Sequence, residues 1–311
     1  MVMAVLFGCA LSLVGCGGGG DPNAATSSEV NGVLTGALTP RSGLPQAVTG
    51  KIVFVSEDQL FVVKPDGTGL RRLTDWQSEQ YDPAWSPNGA KVAFGRRDAG
   101  SYEDGNTWVM NSDGTGLTQV TATSGCQDGP SWVPDGTRLI FSTYFGSNYN
   151  ADICSVSANG GPLTRITRTS ADEESPDCSP DGTRIAYLKG GALWVMNADG
   201  TGGRKLTQVS EARLGQPHWC PDGQKIVFAA YSIWDDKGEI YVINADGTNR
   251  KRLTRNAVTD GYPNWSPDGV KIIFSRNEPG DLWTMNADGT GAARLKRHAG
   301  YDWGPDWWAP G

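Results

Sequence analysis

The sequence predicts an all-β fold, a six-bladed β-propeller of four-stranded antiparallel blades. Three observations predict it. One phrase recurs six times: DPAWSPNG at 82–89, GPSWVPDG at 129–136, SPDCSPDG at 175–182, QPHWCPDG at 216–223, YPNWSPDG at 262–269 and GPDWWAPG at 304–311. Its reference positions Trp85, Trp132, Cys178, Trp219, Trp265 and Trp307 lie 47, 46, 41, 46 and 42 residues apart. A period in the forties with several short strands per unit is the signature of propeller blades. Glycine is 42 and proline 18 of 311 residues, a composition suited to many tight turns rather than long helices.

Taken in order, residues 1–15 are nearly all apolar or small and end in Leu13-Val14-Gly15-Cys16. The stretch is too short to span a bilayer as a helix and reads as a signal peptide. Its end resembles a bacterial lipobox, which implies lipidation of Cys16, although no Lys or Arg precedes the apolar run. Residues 16–49 are rich in Gly, Ala, Ser and Thr without apolar periodicity, and read as a flexible tether. Residues 50–311 carry the repeats and read as one closed domain.

Within a unit the strands follow from local chemistry. QKIVFAA (224–230) is a β-branched and aromatic run. EIYVINADGTNRKRLT (239–254) reads as strand, turn, strand, with Asn244-Ala245-Asp246-Gly247 supplying the turn. YPNWS (262–266) is a further strand, and Pro267-Asp268-Gly269 turns into the next. From the propeller axis outward, the Pro–Trp strand fits A, the KIVF type B, the LWVMN type C and the RLT type D. The chain enters at KIVF (51–54), a B strand, and ends at GPDWW (304–308), an A strand. The last A strand must therefore pair with the first B strand, which closes the ring.

The D strands carry Arg71, Arg72, Arg204, Lys205, Arg250, Lys251 and Arg252, read as charge that protects an outer sheet edge. Strand C carries a column of Phe61, Trp108, Cys154, Trp194, Tyr241 and Trp283, which reads as packing between blades. Cys154 and Cys178 are the two cysteines in the repeat columns; a disulfide between them and two small core residues are both open readings. No C-x-x-C occurs and only His218 and His298 are present, which argues against zinc. The net charge of −7 argues against a nucleic-acid partner.

The NADGT, LT and PxWSPDG phrases resemble the repeats of the TolB propeller family, over about residues 50–311. Similar repeats occur in the propellers of tricorn and dipeptidyl peptidase-type enzymes. The resemblance implies an exported protein whose propeller binds a partner at the channel mouth, as TolB binds a peptidoglycan-associated lipoprotein. The sequence departs from TolB in having a short tether where an α/β domain would precede the propeller. It reads as a lipid-anchored, monomeric relative on the periplasmic or cell-surface side of a bacterial envelope.

In an antiparallel meander the A–B and C–D turns share one face and the B–C and D–A loops share the other. The first face holds the near-uniform SPDG and NADG turns. The second carries the variation, and varied loops on a rigid scaffold are where recognition usually sits. Its long B–C loops hold Tyr102, Tyr144, Tyr149, Tyr231 and Trp234. Its D–A loops hold Asp82, Asp128, Glu173, Glu174, Asp260 and Asp302, beside Tyr81, Tyr262 and Trp303. An acidic ring there would attract cations, hold Ca2+ or another divalent ion through oxygen ligands, or grip a basic peptide; acidic loops that only keep the protein soluble are the plainer reading.

No catalytic constellation emerges from the motifs. The function expected is non-enzymatic binding of an envelope protein or peptide, with a glycan or peptidoglycan-associated ligand as a variant. The alternative is a carbohydrate-active lyase or hydrolase using the mouth carboxylates as acid and base, or a cation-dependent glycan-binding propeller.

Overall fold

The computed structural model describes residues 50–98, 105–122, 127–145, 150–208, 212–277, 280–295 and 300–310. Residues 48–311 form one compact unit. Cys16, Tyr102, Tyr149, the tether and the signal segment lie outside the described residues, as does the Asp128 side chain.

Six four-stranded antiparallel sheets make the propeller. Blade 1 joins β24 (Asp302–Trp308), β1 (Lys51–Ser56), β2 (Gln59–Val63) and β3 (Arg71–Arg72). The ring therefore closes between the chain ends, with Ile52 opposite Trp307 and Val55 opposite Trp303. The A strands of blades 2 to 6 are β4 (Ser78–Trp85), β8 (Gln127–Trp132), β12 (Glu173–Cys178), β16 (Ala212–Trp219) and β20 (Asp260–Trp265). Each touches the next, and β20 returns to β24, so the A strands form the wall of a central channel.

The repeat motifs have separate tasks. In the NADG turn the aspartate accepts from the backbone N–H and hydroxyl of the threonine two residues on, as Asp246 does from Thr248. The glycine of that turn lies against the D strand of the preceding blade. A Cβ on Gly114 would sit 2.7 Å from the Leu73 carbonyl oxygen, at a φ of +90°. Three of the D-strand cations clasp the same turn: Arg71 donates to Ser112 and Asp113, Arg204 to Ala245 and Asp246, and Lys251 to Asp288. They stitch blade to blade, a role beyond edge protection. The threonine of RLT accepts from strand C of its own blade, as Thr254 does from the Ile240 N–H.

The core lies between blades. Phe54, Phe94, Phe141, Tyr187, Phe228 and Phe274 of the B strands are buried. Trp85, Trp132, Trp219, Trp265 and Trp307 are also buried, and Trp132, Trp219 and Trp265 each donate their indole N–H to an A-strand carbonyl of the preceding blade. Cys154 and Cys178 do not form a bridge. Both are free thiols, in separate apolar clusters, and burial pushes each up to about 12. The small-core reading of the cysteines holds.

Candidate functional site

Each A strand is bulged at one place. Tyr81 pairs with Gly95 and Ala84 with Ala93, so Asp82 and Pro83 together face the single residue Phe94. The same two-against-one step recurs in the other five blades, always opposite the buried B-strand aromatic. The residue before the proline takes a left-handed φ throughout: 45° at Asp82, 37° at Gly129, 51° at Ser175, 46° at Gln216, 50° at Tyr262 and 59° at Gly304. Four of these are not glycine, and such backbone is costly for them. A bulge re-aims side chains at a barrel or channel rim.

The strand beyond the bulge alternates. The proline is buried, as are the tryptophans at the reference position, while the bulge residue and the residue two further on are half-buried in all six blades. The channel wall thus carries two tiers. The upper is Asp82, Gly129, Ser175, Gln216, Tyr262 and Gly304; the lower is Ala84, Ser131, Asp177, His218, Asn264 and Asp306.

The lower tier answers a structural need. The inner edge of each A strand presents backbone N–H groups to the channel, and these require acceptors. Asp306 accepts from Trp85 N at 2.6 Å, Asp177 from Trp219 N at 2.8 Å, and each acceptor belongs to the preceding blade. Asp306 also accepts from the Asn264 amide at 2.8 Å, and Asp177 from the Ser131 hydroxyl at 2.9 Å. His218 Nδ1 lies 3.7 Å from Asp177. Burial pulls this imidazole down, but its hydrogen bond to Asp177 and the charges of Asp177, Asp306 and Asp82 outweigh that and leave it above its ordinary value. Burial raises Asp306 against its hydrogen bonds and the His218 charge.

The upper tier is chemically uneven. Asp82 accepts from the Gly129 N–H of the next blade; burial nevertheless pushes its carboxyl up to about 6, against that bond and the His218 charge. Tyr262 packs against Trp303 with ring centroids 5.2 Å apart. Gln216 Oε1 accepts from the Tyr231 hydroxyl at 3.2 Å.

Several sequence-predicted residues have other tasks. Glu173, Asp260 and Asp302 are buried, not an open acidic ring. Glu173 pairs with Lys189 at 2.8 Å and with Thr169. Asp260 accepts from Arg276 Nε and from one of its terminal nitrogens, at 2.6 and 2.9 Å, and from the Asn256 amide. Such carboxylates tie D–A loops to their own blades, the expected fate of a buried charge. Tyr81 is a wedge: it is buried over Gly95 and donates to the Gln127 carbonyl of the next blade. Tyr231 fills the corresponding gap over Gly215, Gly238 and Gly261.

The sequence-predicted residues that do reach the upper face are Asp82, Tyr262, Trp303, Glu174, Tyr144 and Trp234. Glu174 accepts from the Tyr144 hydroxyl, while burial and the charge of Asp172 raise its carboxyl. Trp234 is 82% exposed at the tip of a B–C loop. Sequence reasoning missed Asp177, Asn264, Asp306 and the bulge itself; the recurring proline one residue after the bulge was the available signal. Among the described residues no group of three or more His, Cys, Asp or Glu side chains is arranged to hold a metal ion.

The opposite face is occupied by its own turns. The residue after the C strand donates its backbone N–H to the A–B turn of its blade, as Ala198 does to Thr183 and Ala245 to Gln224. The A–B and C–D turns therefore share a face, as the meander requires.

Comparison with known proteins gives consistent results. A family model described as the TolB beta propeller domain matches residues 53–214 and 175–311. The crystal structure of TolB from Acinetobacter baumannii superposes with a TM-score of 0.72 at 20% identity, covering 86% of this chain and 68% of that one. A putative TolB from Agrobacterium tumefaciens gives 0.66 at 18% identity, covering 84% and 99%. A 45-residue segment is 40% identical to dipeptidyl-peptidase 5 of Porphyromonas gingivalis, and spans 14% of this chain and 7% of that protein.

Proposed function

The chain belongs to the TolB β-propeller family, and from that premise we propose that it is a non-enzymatic, envelope-tethered binding module. Its partner, a protein or peptide of the bacterial envelope, docks on the face that carries the channel mouth. One observation carries this reading. Six equivalent bulges place Asp, Ser, Gln, Tyr and two Gly at the mouth, and the four that are not glycine stand in costly left-handed backbone. Asp82 does bond to Gly129 of the next blade, but the lower tier and the turns supply such bonds as well, so joining blades does not by itself call for this variety. Tyr144, which lies at the end of the B strand 138–145 and not in the loop expected from sequence, and the exposed Trp234 of the loop 233–237 add to the same face. The opposite face presents repeated turns whose polar groups bond to one another and to the neighbouring blade.

Cys16 carries the lipid that holds the protein at the membrane, with residues 17–49 as tether. Crosslinking in intact cells, with photoreactive residues at 144, 234 and 262 in one set and at 113, 199 and 246 in another, tests the docking face. A partner crosslinked from the first set alone supports the proposal; crosslinks confined to the second refute it.

A carbohydrate-active reading rests on a different observation. Burial pushes the Asp82 carboxyl up to about 6, with the His218 charge acting on it, a setting suited to a general acid or base. Turnover of an acidic or neutral oligosaccharide that vanishes in Asp82→Asn, with binding retained, would favour that reading over the first.

A further inference from the structure

The mouth is not evenly lined, and the unevenness falls in one arc across the ring closure. Going round the channel, Tyr262 of blade 6 packs on Trp303 of blade 1 at 5.2 Å. Next to Trp303 stands Gly304, whose Cβ position would lie 3.7 Å from Pro83 of blade 2. Beside Pro83 is Asp82, whose Oδ2 lies 3.7 Å from the Cβ position of Gly129 in blade 3. An aromatic pair and a carboxylate therefore flank one glycine, and a second glycine follows the carboxylate. Neither glycine carries a side chain over the wall, and a Cβ at either would meet its nearest neighbour only at van der Waals distance.

The charge around this arc has one sign in excess. Neither tier contains Lys or Arg. The lower tier adds Asp177 and Asp306, and His218 is its single basic group. An anion or a polyol would gain little here. A compact organic cation would gain twice, from the carboxylate and from the aromatic pair.

We propose that the arc Tyr262–Trp303–Asp82 is a seat for one guanidinium or ammonium group, a basic side chain of the docking partner. The seat rests on the docking reading above for its biological source, and on the arc's own chemistry for its specificity. The cation packs on the Tyr262 and Trp303 rings and pairs with Asp82, lying over Gly304. Asp82 keeps its Gly129 bond meanwhile, because a carboxylate can accept several donors.

The test uses N-acetyl-arginine amide as probe and N-acetyl-citrulline amide as its neutral isostere, titrated into the 15N-labelled full-length protein. The Gly129 and Gly304 amide signals report on the arc. The arginine probe should shift both, and the citrulline probe should bind at least tenfold more weakly. Asp82→Asn should weaken the arginine probe about tenfold, and Tyr262→Leu about threefold, the loss of one ring face. Equal shifts from the citrulline probe overturn the proposal, and that arm needs no variant to fold. An unchanged affinity in Asp82→Asn overturns it too, as does calcium chloride that shifts the same amides and displaces the arginine probe at lower concentration. Arginine binding without an upper-face crosslink would keep the seat and sink the docking reading; the reverse pair of results would sink the seat alone.

Discussion

Asp82→Asn should stabilise the propeller at neutral pH and do nothing in acid. Burial in the channel wall pushes the Asp82 carboxyl up to about 6, from an ordinary value of 3.8. The folded state therefore holds this proton more tightly than the unfolded chain. Such a group contributes stability that is full below about pH 3.8 and is lost as the pH rises through about 6. A difference of about two pH units corresponds to about 3 kcal/mol at pH 8. Asparagine has the shape of the protonated acid and keeps an oxygen for the Gly129 N–H, so the variant recovers that loss. For a domain of this size, about 3 kcal/mol raises the melting temperature by roughly 6–12 °C. Thermal unfolding of both proteins by circular dichroism from pH 4 to pH 8 gives the difference directly, because distant titrating groups cancel. His218 does not cancel fully, since Asp82 is one of the charges that raise it. Repeating the comparison in a His218→Gln background isolates the carboxyl. A difference that is flat with pH, or a variant less stable than the parent at pH 8, refutes the reasoning.

Four other outcomes follow from separate parts of the fold. Deleting 304–311 removes most of strand β24, with buried Trp307, and should lower the melting temperature or abolish cooperative unfolding; an unchanged melt would contradict the closure. Arg276→Ala leaves Asp260 buried without its ion pair and should cost about 3–5 kcal/mol in urea unfolding. Gly114→Ala forces a Cβ to 2.7 Å from the Leu73 carbonyl oxygen in left-handed backbone, and should cost about 1–3 kcal/mol by the same measurement. Cys16→Ala should move the protein from the membrane to the soluble fraction of lysed cells, as immunoblotting would show.

The repeat period, the four strands per unit and the phase difference between the chain ends determined the architecture from sequence alone. Each rests on local chemistry: β-branched runs, Asx–Gly turns, and the A-strand phrase that completes blade 1 from the far end. The inter-blade position of the Trp85 column was legible for the same reason, since a large aromatic on an inner strand has no other place to be buried. What the sequence could not decide was direction. Asp82 and Glu173 occupy neighbouring places in the same loop-to-strand step, yet one half-faces the channel and the other is buried against Lys189. The difference is whether a residue lies before or at the bulge, and a bulge is fixed by pairing with a strand in the same sheet. Tyr231 and Trp234, both read from sequence as loop residues, show the same limit: the first lies in the B strand 225–232 and is taken in by three glycines from both sides of a blade boundary, while the second stands 82% exposed in the loop that follows. The arc at the channel mouth is decided further still from local sequence. Tyr262 meets Trp303, and Asp82 follows across Gly304 and Pro83, only because the ring closes, and closure is a property of all six blades at once.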